Sequence, residues 1–279
     1  MTVADRIQSD IDAAWAAAQG SSHRYHLGAS VVGGRCAREV WYKFRWFHAV
    51  HHSGRLLRLF NRGHREEAHA IENLRKIGAV VQDTDPATGR QVKFSYLGGL
   101  FGGERDGAIS NLEAYGLHGW GLVEFKTHGE KSFNNLKSKG LLTAKPEHYI
   151  QMQMYMGWSG FAWGLYYAVN KNTDEVYIAV VPFRVELYEQ YTDRARSIIE
   201  SNTPPPRVSE DPSWYICRFC DFKRVCHEQA TPDKNCRTCT RCELRMASDS
   251  HAWHCGHWRS DIPQEYTRKG CDQWHPIQT

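Results

Sequence analysis

The hydrophobic patterning of this 279-residue chain predicts a mixed α/β fold. Three observations carry that prediction. A long helical period precedes a set of short apolar runs, a second helix separates those runs from two more, and a third helix closes the series. The order is helix, three or four strands, helix, strand, strand, helix, which suits a mixed central sheet flanked by helices.

The first helix is FNRGHREEAHAIENLRKIG, where Phe60, Ala68, Ile71, Leu74 and Ile77 recur near helical spacing and Gly78 supplies a stop. It carries Glu66 and Glu67 after Gly63. Two glycine-punctuated, strand-like runs follow: GGERDGAI with Asp106, and GWGLVEFKT with Glu124 and Lys126. PEHYIQMQMYMGW then starts with Pro146 in a first helical turn, and Gln151 and Tyr155, four apart, share one face of it. FAWGLYYAVN and DEVYIAVVPF are β-rich, and RVELYEQYTDRARSIIE is helix-like up to the consecutive prolines of TPPPRVSEDPS.

Residues two apart in a strand share a face. Glu124 and Lys126 therefore point one way and Val123 and Phe125 the other, which presents a carboxylate beside an ammonium. Carboxylates on adjacent strands offer hard oxygen ligands for Mg²⁺ or Mn²⁺, and such an ion activates water and neutralises charge on a phosphate. A lysine beside the attacking water stabilises the extra negative charge of the transition state. On its own, Glu-x-Lys is also a common surface ion pair of little energetic weight. The neighbouring motifs decide between the two readings.

With RGHREE, ERDGAI, VEFKT and QMQMY in this order over roughly residues 60–160, the chain resembles the PD-(D/E)XK nuclease superfamily. Within it, the Gln-x-x-x-Tyr element resembles the RecB-like exonuclease branch, including CRISPR-associated and phage-borne members with a [4Fe–4S] cluster. The resemblance implies a restriction-endonuclease-like core with Asp106 and Glu124 as metal ligands and Lys126 as the catalytic lysine. It makes Gln151 and Tyr155 substrate-positioning residues and Glu67 the helix-borne ligand, with Glu66, His64 and His69 as competitors.

The cysteines form a second argument. Cys217, Cys220 and Cys226 make a C-x₂-C-x₅-C array suited to one soft metal centre. Cys36, which opens a Cys-x-Arg followed by Trp-Tyr as in the same exonuclease branch, is the implied fourth ligand of a structural [4Fe–4S] cluster, with zinc as the rival metal. The tail adds Cys236, Cys239, Cys242, Cys255 and Cys271 among several histidines. This spacing predicts a small zinc-ribbon-like module with Zn²⁺ on Cys236, Cys239, Cys255 and Cys271, and Cys242 and His275 as substitutes. No apolar signal segment precedes MTVADRIQSDIDAAW, so reduced thiols and a cytoplasmic setting are expected rather than disulfides.

Composition bounds the reading. Hydrophobic residues make up 41% without a long apolar run, which argues against a membrane span, and a net charge of +4 does not by itself demand nucleic acid. The positive charge is clustered, however, in RLLRLFNRGHR and KSFNNLKSKGLLTAK. With ten Trp and thirteen Tyr available for stacking, such runs suit a single strand or duplex end of DNA. Proline-rich punctuation predicts segments 1–59, 60–203, 204–230 and 231–279: an N-terminal helical segment, the nuclease core, the iron–sulfur segment and the zinc tail. The expected function is a metal-dependent DNA exonuclease in prokaryotic or phage recombination, repair or processing. A catalytically silent DNA-binding accessory protein, and a module recruiting replication or repair proteins through its tail, are the competing readings. No G-x-x-x-x-G-K-[ST] loop is present, so ATP-driven unwinding would need a partner.

Overall fold

The computed structural model describes residues 1–20 and 23–279. The chain opens with α1 (Val3–Ala17), β1 (Leu27–Gly28), α2 (Ala29–Val32), α3 (Ala37–Arg45) and α4 (Gly54–Lys76). Next come β2 (Val80–Gln82), β3 (Lys93–Tyr96), β4 (Phe101–Glu104), β5 (Gly107–Ser110) and β6 (Gly121–His128). They are followed by α5 (Glu130–Ala144), α6 (Pro146–Ser159), β7 (Trp163–Asn170), β8 (Val176–Pro182) and α7 (Val185–Glu200). The remainder forms α8 (Tyr215–Arg218), α9 (Lys223–His227), β9 (Cys242–Met246), β10 (His251–Cys255) and β11 (Ser260–Ile262). Among the described residues no helix is long and apolar enough to cross a membrane.

These elements gather into two compact units, neither of them a continuous stretch of chain. One comprises Met1–Gly20, His51–Phe94 and Gly103–Tyr191; the other comprises Ser21–Val50, Ser95–Gly102 and Thr192–Thr279. The expected boundaries after residues 59, 203 and 230 do not coincide with either. Proline-rich stretches mark where a helix stops, not where packing stops, and the tail packs with the segment before α4.

The first unit is built on a mixed five-stranded sheet of order β2-β5-β6-β7-β8. β6 and β7 run parallel, with Glu124 opposite Tyr166 and Lys126 opposite Ala168, and the other neighbours are antiparallel. A parallel pair needs a crossover. Two helices, α5 and α6, supply it where the sequence suggested one; Gly140, at φ 73°, breaks the α-helical path between them. The β6 strand is buried along most of its length, as a central strand covered on both faces should be.

α4 covers one face of this sheet, burying Ala70, Ile71 and Leu74 against Val123, Phe125, Leu165 and Tyr167. Ser53 caps it by accepting from Leu56 N at 3.3 Å. The expected apolar stripe is thus half right. Ile71 and Leu74 are core, but Phe60, Ala68 and Ile77 are exposed. Core-facing positions in this 23-residue helix cluster in its second half, which leaves the first half free to carry polar groups.

In the second unit β1 pairs in parallel with β4, while β9, β10 and β11 form an antiparallel meander. Trp41, Phe44, Trp46 and Phe47, at 2% exposure or less, are its core. The tail is tied directly to that core: Asp233 N donates to Phe47 O at 2.9 Å, and Asn235 Nδ2 to Trp46 O at 3.0 Å.

Candidate active site

The strand alternation places Glu124 and Lys126 on one face of β6, as expected. Glu124 is fully buried, its Oε1 accepting from Lys126 Nζ and, at 2.7 Å, from Gln151 Nε2. Its Oε2 is buried without a hydrogen-bond partner. Asp106, at the entry to β5, accepts from Phe125 N at 2.9 Å through Oδ2, and that same oxygen lies 3.8 Å from Lys126 Nζ. Two strands and one helix thus bring two carboxylates, an ammonium and an amide together.

The electrostatics follow from burial and mutual repulsion. Burial first, and then the Asp106 carboxylate, push the Glu124 carboxyl up to about 8 against the pull of Lys126. Burial works against the charge on Lys126, yet Glu124 and Asp106 outweigh it and its pKa is raised. Glu67 on α4 is pushed upward by burial and by Asp106, with His64 opposing. Carboxyls that repel one another in a desolvated site are poised for a cation. The unpartnered Glu124 Oε2 and the hard oxygen donors around it fit Mg²⁺ or Mn²⁺.

Of the polar residues on α4, Glu67 reaches these groups electrostatically, and His64 Nδ1 lies 3.6 Å from Glu67 Oε1. Glu67 is half-buried and interacts electrostatically with Asp106 and Lys126. His64 and His69 are exposed, and Glu66 is paired with Arg62 at 3.4 Å. A cleft of about 530 Å³ opens beside the site, lined by His64, Glu66, Glu67, Lys126, Thr127 and Lys171 among others.

Gln151 and Tyr155 do share a helix face, but both side chains are buried, at 7% and 3% exposure. Gln151 grips the Glu124 carboxylate. Tyr155 packs beside Phe94 and Trp158, with ring centroids at 6.1 and 5.6 Å, and its hydroxyl lies against Gly103. Both side chains belong to the packed face of α6.

One constellation escaped the sequence reading. The Tyr166 hydroxyl bridges His128 Nε2 at 2.9 Å and His148 Nδ1 at 2.8 Å, on the sheet face that also bears Glu124 and Lys126. Burial, aided by Lys145 and Lys126, lowers His128 to about 4 and His148 to about 3, so both rings stay neutral. The i, i+2 step from Lys126 to His128 was the available signal; the partners on β7 and α6 leave no trace in local spacing.

In the second unit Cys36, Cys217, Cys220 and Cys226 line one small cavity, although Cys36 lies 181 positions before Cys217 in the chain. Burial pushes the Cys220 thiol up to about 12, and burial and Cys36 raise Cys217. Cys236, Cys239, Cys242, Cys255 and Cys271 line a second cavity, with His257 but without His275. Among the described residues no three His, Cys, Asp or Glu side chains are placed in a closed metal-holding group. The donor chemistry still fits: each cavity gathers at least four soft sulfurs.

The chain matches no family model and no curated protein. Among solved structures it is similar to an alkaline exonuclease (LHK-Exo) from Laribacter hongkongensis, with a TM-score of 0.45 at 16% identity, covering 68% of this chain and 90% of that one. The same exonuclease in complex with dAMP gives a TM-score of 0.43 at 15% identity over 68% and 90%. The protein SSO0001 gives 0.44 at 13% identity over 83% of this chain and 99% of that one.

Proposed function

We propose that this chain is a Mg²⁺- or Mn²⁺-dependent deoxyribonuclease that hydrolyses phosphodiester bonds from a DNA end. One observation carries the reading: a fully buried carboxylate, Glu124, has one oxygen held by Lys126 and Gln151 and the other unpartnered, and a second carboxylate, Asp106, acts on it electrostatically. A surface ion pair has no reason to be built this way, because burying a carboxylate is costly unless a charge or metal compensates it.

Asp106, Glu124 and Glu67 would hold the ion. Bound there, it supplies an activated water and neutralises charge on the phosphate. Lys126 places a positive charge where negative charge grows in the transition state, and Gln151 fixes the Glu124 rotamer so that its free oxygen stays aimed. The cleft beside Lys126 and Lys171 offers the approach for a phosphate backbone. In the second unit, Cys36, Cys217, Cys220 and Cys226 would hold a [4Fe–4S] cluster, and the tail cysteines a Zn²⁺, each as a structural clip.

The test is cleavage of end-labelled linear and covalently closed single-stranded DNA with Mg²⁺, with Mn²⁺ and with chelator. Linear DNA shortened from an end only when metal is present, with closed circles intact, is the expected result. Cleavage undiminished by chelator overturns the metal reading, and nicking of the circles overturns the end-directed one.

A further inference from the structure

Two guanidiniums lie in the core of the second unit with no carboxylate against either among the described residues. Arg45 is 0% and Arg237 1% exposed. Arginine stays protonated in proteins, so burial does not remove these charges. Their hydrogen-bond acceptors are all neutral. Arg45 Nη2 donates to Ser201 O at 2.7 Å and Asn202 Oδ1 at 2.8 Å, and Nη1 reaches Arg237 O at 3.5 Å. Arg237 donates to Phe44 O and Tyr25 O, each at 3.0 Å. The Nε of both is buried without a partner.

Aromatic rings complete the cage. Arg237 Cζ lies 3.8 Å from the Trp46 ring centroid and 4.6 Å from that of Trp253; Arg45 Cζ lies 5.0 Å from Trp253 and 5.5 Å from Trp41. Ring quadrupoles attract cations but carry no net charge. Two like charges in a buried site call for an anion, and at this exposure it has to come from within the unit rather than from a ligand in solvent.

The tail cysteines are that source. Cys242 lies within electrostatic reach of both guanidiniums. It is paired with Cys255 across the β9–β10 ladder, so both thiols leave one face of the sheet, toward the cavity that Cys236, Cys239 and Cys271 also line. Backbone donors already address two of the sulfurs: His275 N is 3.5 Å from Cys239 Sγ, and Trp258 N is 3.5 Å from Cys255 Sγ. Four thiolates around a divalent ion carry two net negative charges, which the two arginines match.

We propose that the tail holds an all-thiolate, dianionic metal centre with Cys242 among its ligands, and that Arg45 and Arg237 are its buried counter-charge. This rests on the metal reading of the tail. It settles the choice among substitutes in favour of Cys242 over His275, because a neutral imidazole would leave one guanidinium uncompensated. It also explains why α3 and the tail, almost 200 residues apart, share one core: the charge on one and the thiolates of the other need each other.

The experiment uses the full chain, with zinc as the probe. Metal content is measured by mass spectrometry, zinc release by transfer to a chromophoric chelator, and stability by thermal melting with and without that chelator. Wild-type protein is expected to hold about one zinc on the tail cysteines. Arg45→Met and Arg237→Met should each release zinc about ten- to a hundredfold faster, the range for groups that support metal ligands from outside, while Arg45→Lys and Arg237→Lys stay near wild type. The melting order should invert: with chelator the Met variants are more stable than wild type, with zinc less so. A packing role alone predicts no inversion.

Met variants that release zinc at the wild-type rate overturn the counter-charge assignment while leaving the metal reading intact. Wild-type protein whose tail binds no metal overturns the metal reading itself. Should the Met variants fail to fold, Cys242→Ser and His275→Ala decide: zinc lost in the first alone supports the proposal, and zinc kept in the first or lost in the second overturns it.

Discussion

Glu124 is a residue that folding alone would not keep. Its carboxyl is held at about 8, so between the unfolded value of 4.5 and that pH the folded state binds more protons than the unfolded one. Stability of the metal-free protein therefore falls as pH rises through this window, and the penalty is complete above it. A metal must displace the same proton. The gain in melting temperature on adding Mg²⁺ is accordingly expected to grow by a few degrees from pH 6 to pH 8, and cleavage should rise over the same interval. Glu124→Gln should erase both pH dependences, melt at or above the metal-free wild type at pH 8, and lose cleavage. A Glu124→Gln protein that still cleaves near the wild-type rate would remove the carboxylate from the site.

Asp106→Ala and Lys126→Ala are expected to lower kcat by about 10³-fold or more, and the double variant by little beyond either single one, because the groups act as a unit. Steady-state kinetics on linear DNA checks this. The placement of Glu124 and Lys126 was legible in the sequence because strand alternation is a rigid rule: a period of 2 puts them side by side whatever the tertiary context. The His128–Tyr166–His148 chain was not, since it joins a strand, its parallel neighbour and a helix, and only the sheet register brings Tyr166 opposite Glu124.

At the scale of elements, α6 shows what residue spacing carries and what it leaves open. Four-residue spacing put Gln151 and Tyr155 on one face, but periodicity cannot say whether that face meets water or a carboxylate. Here it meets Glu124 and Gly103. Gln151→Ala should lower kcat about tenfold or more with little change in KM, the signature of a group that orients a catalytic residue; a rise in KM alone would return Gln151 to substrate contact. The Tyr155 hydroxyl lies against Gly103. A Cβ on Gly103 would lie 2.5 Å from the Tyr155 hydroxyl oxygen, so Gly103→Ala should cost about 1–3 kcal/mol by overpacking. Adding Tyr155→Phe should recover part of that loss in thermal melts, because the clashing atom is gone. A double variant no more stable than Gly103→Ala would place the strain elsewhere.

For the whole molecule, the sequence was read as a line and the structure is not one. Every proposed catalytic residue lies in His51–Phe94 or Gly103–Tyr191, while both cysteine sets lie in the other unit, whose chain includes Ser21–Val50 and Ser95–Gly102. Proline-rich punctuation predicts the tail, residues 231–279, as a segment of its own. The contacts argue otherwise. Residues 233–238 run through the core built by α3: Ala49 N donates to Asp233 Oδ2 at 2.7 Å, Asn235 reaches Trp46 O, and Arg237 stacks on Trp46 and Phe44. Deleting residues 232–279 would uncover Phe44 and Trp46, which pack against Trp253 and Arg237, a loss of burial on the order of several kcal/mol at about 1.5–3 kcal/mol per large apolar side chain. That exceeds what one unit of a marginally stable protein can lose. The truncated chain is therefore expected to lose the cluster proposed on Cys36, Cys217, Cys220 and Cys226 along with the proposed tail zinc, and to aggregate, although none of those four cysteines is removed. Cys271→Ser, which leaves the Arg237 cage in place, should keep the iron. Iron and zinc analysis with analytical size exclusion of both variants checks this, and a monomeric truncation that keeps its iron would show that the tail is a separable module after all.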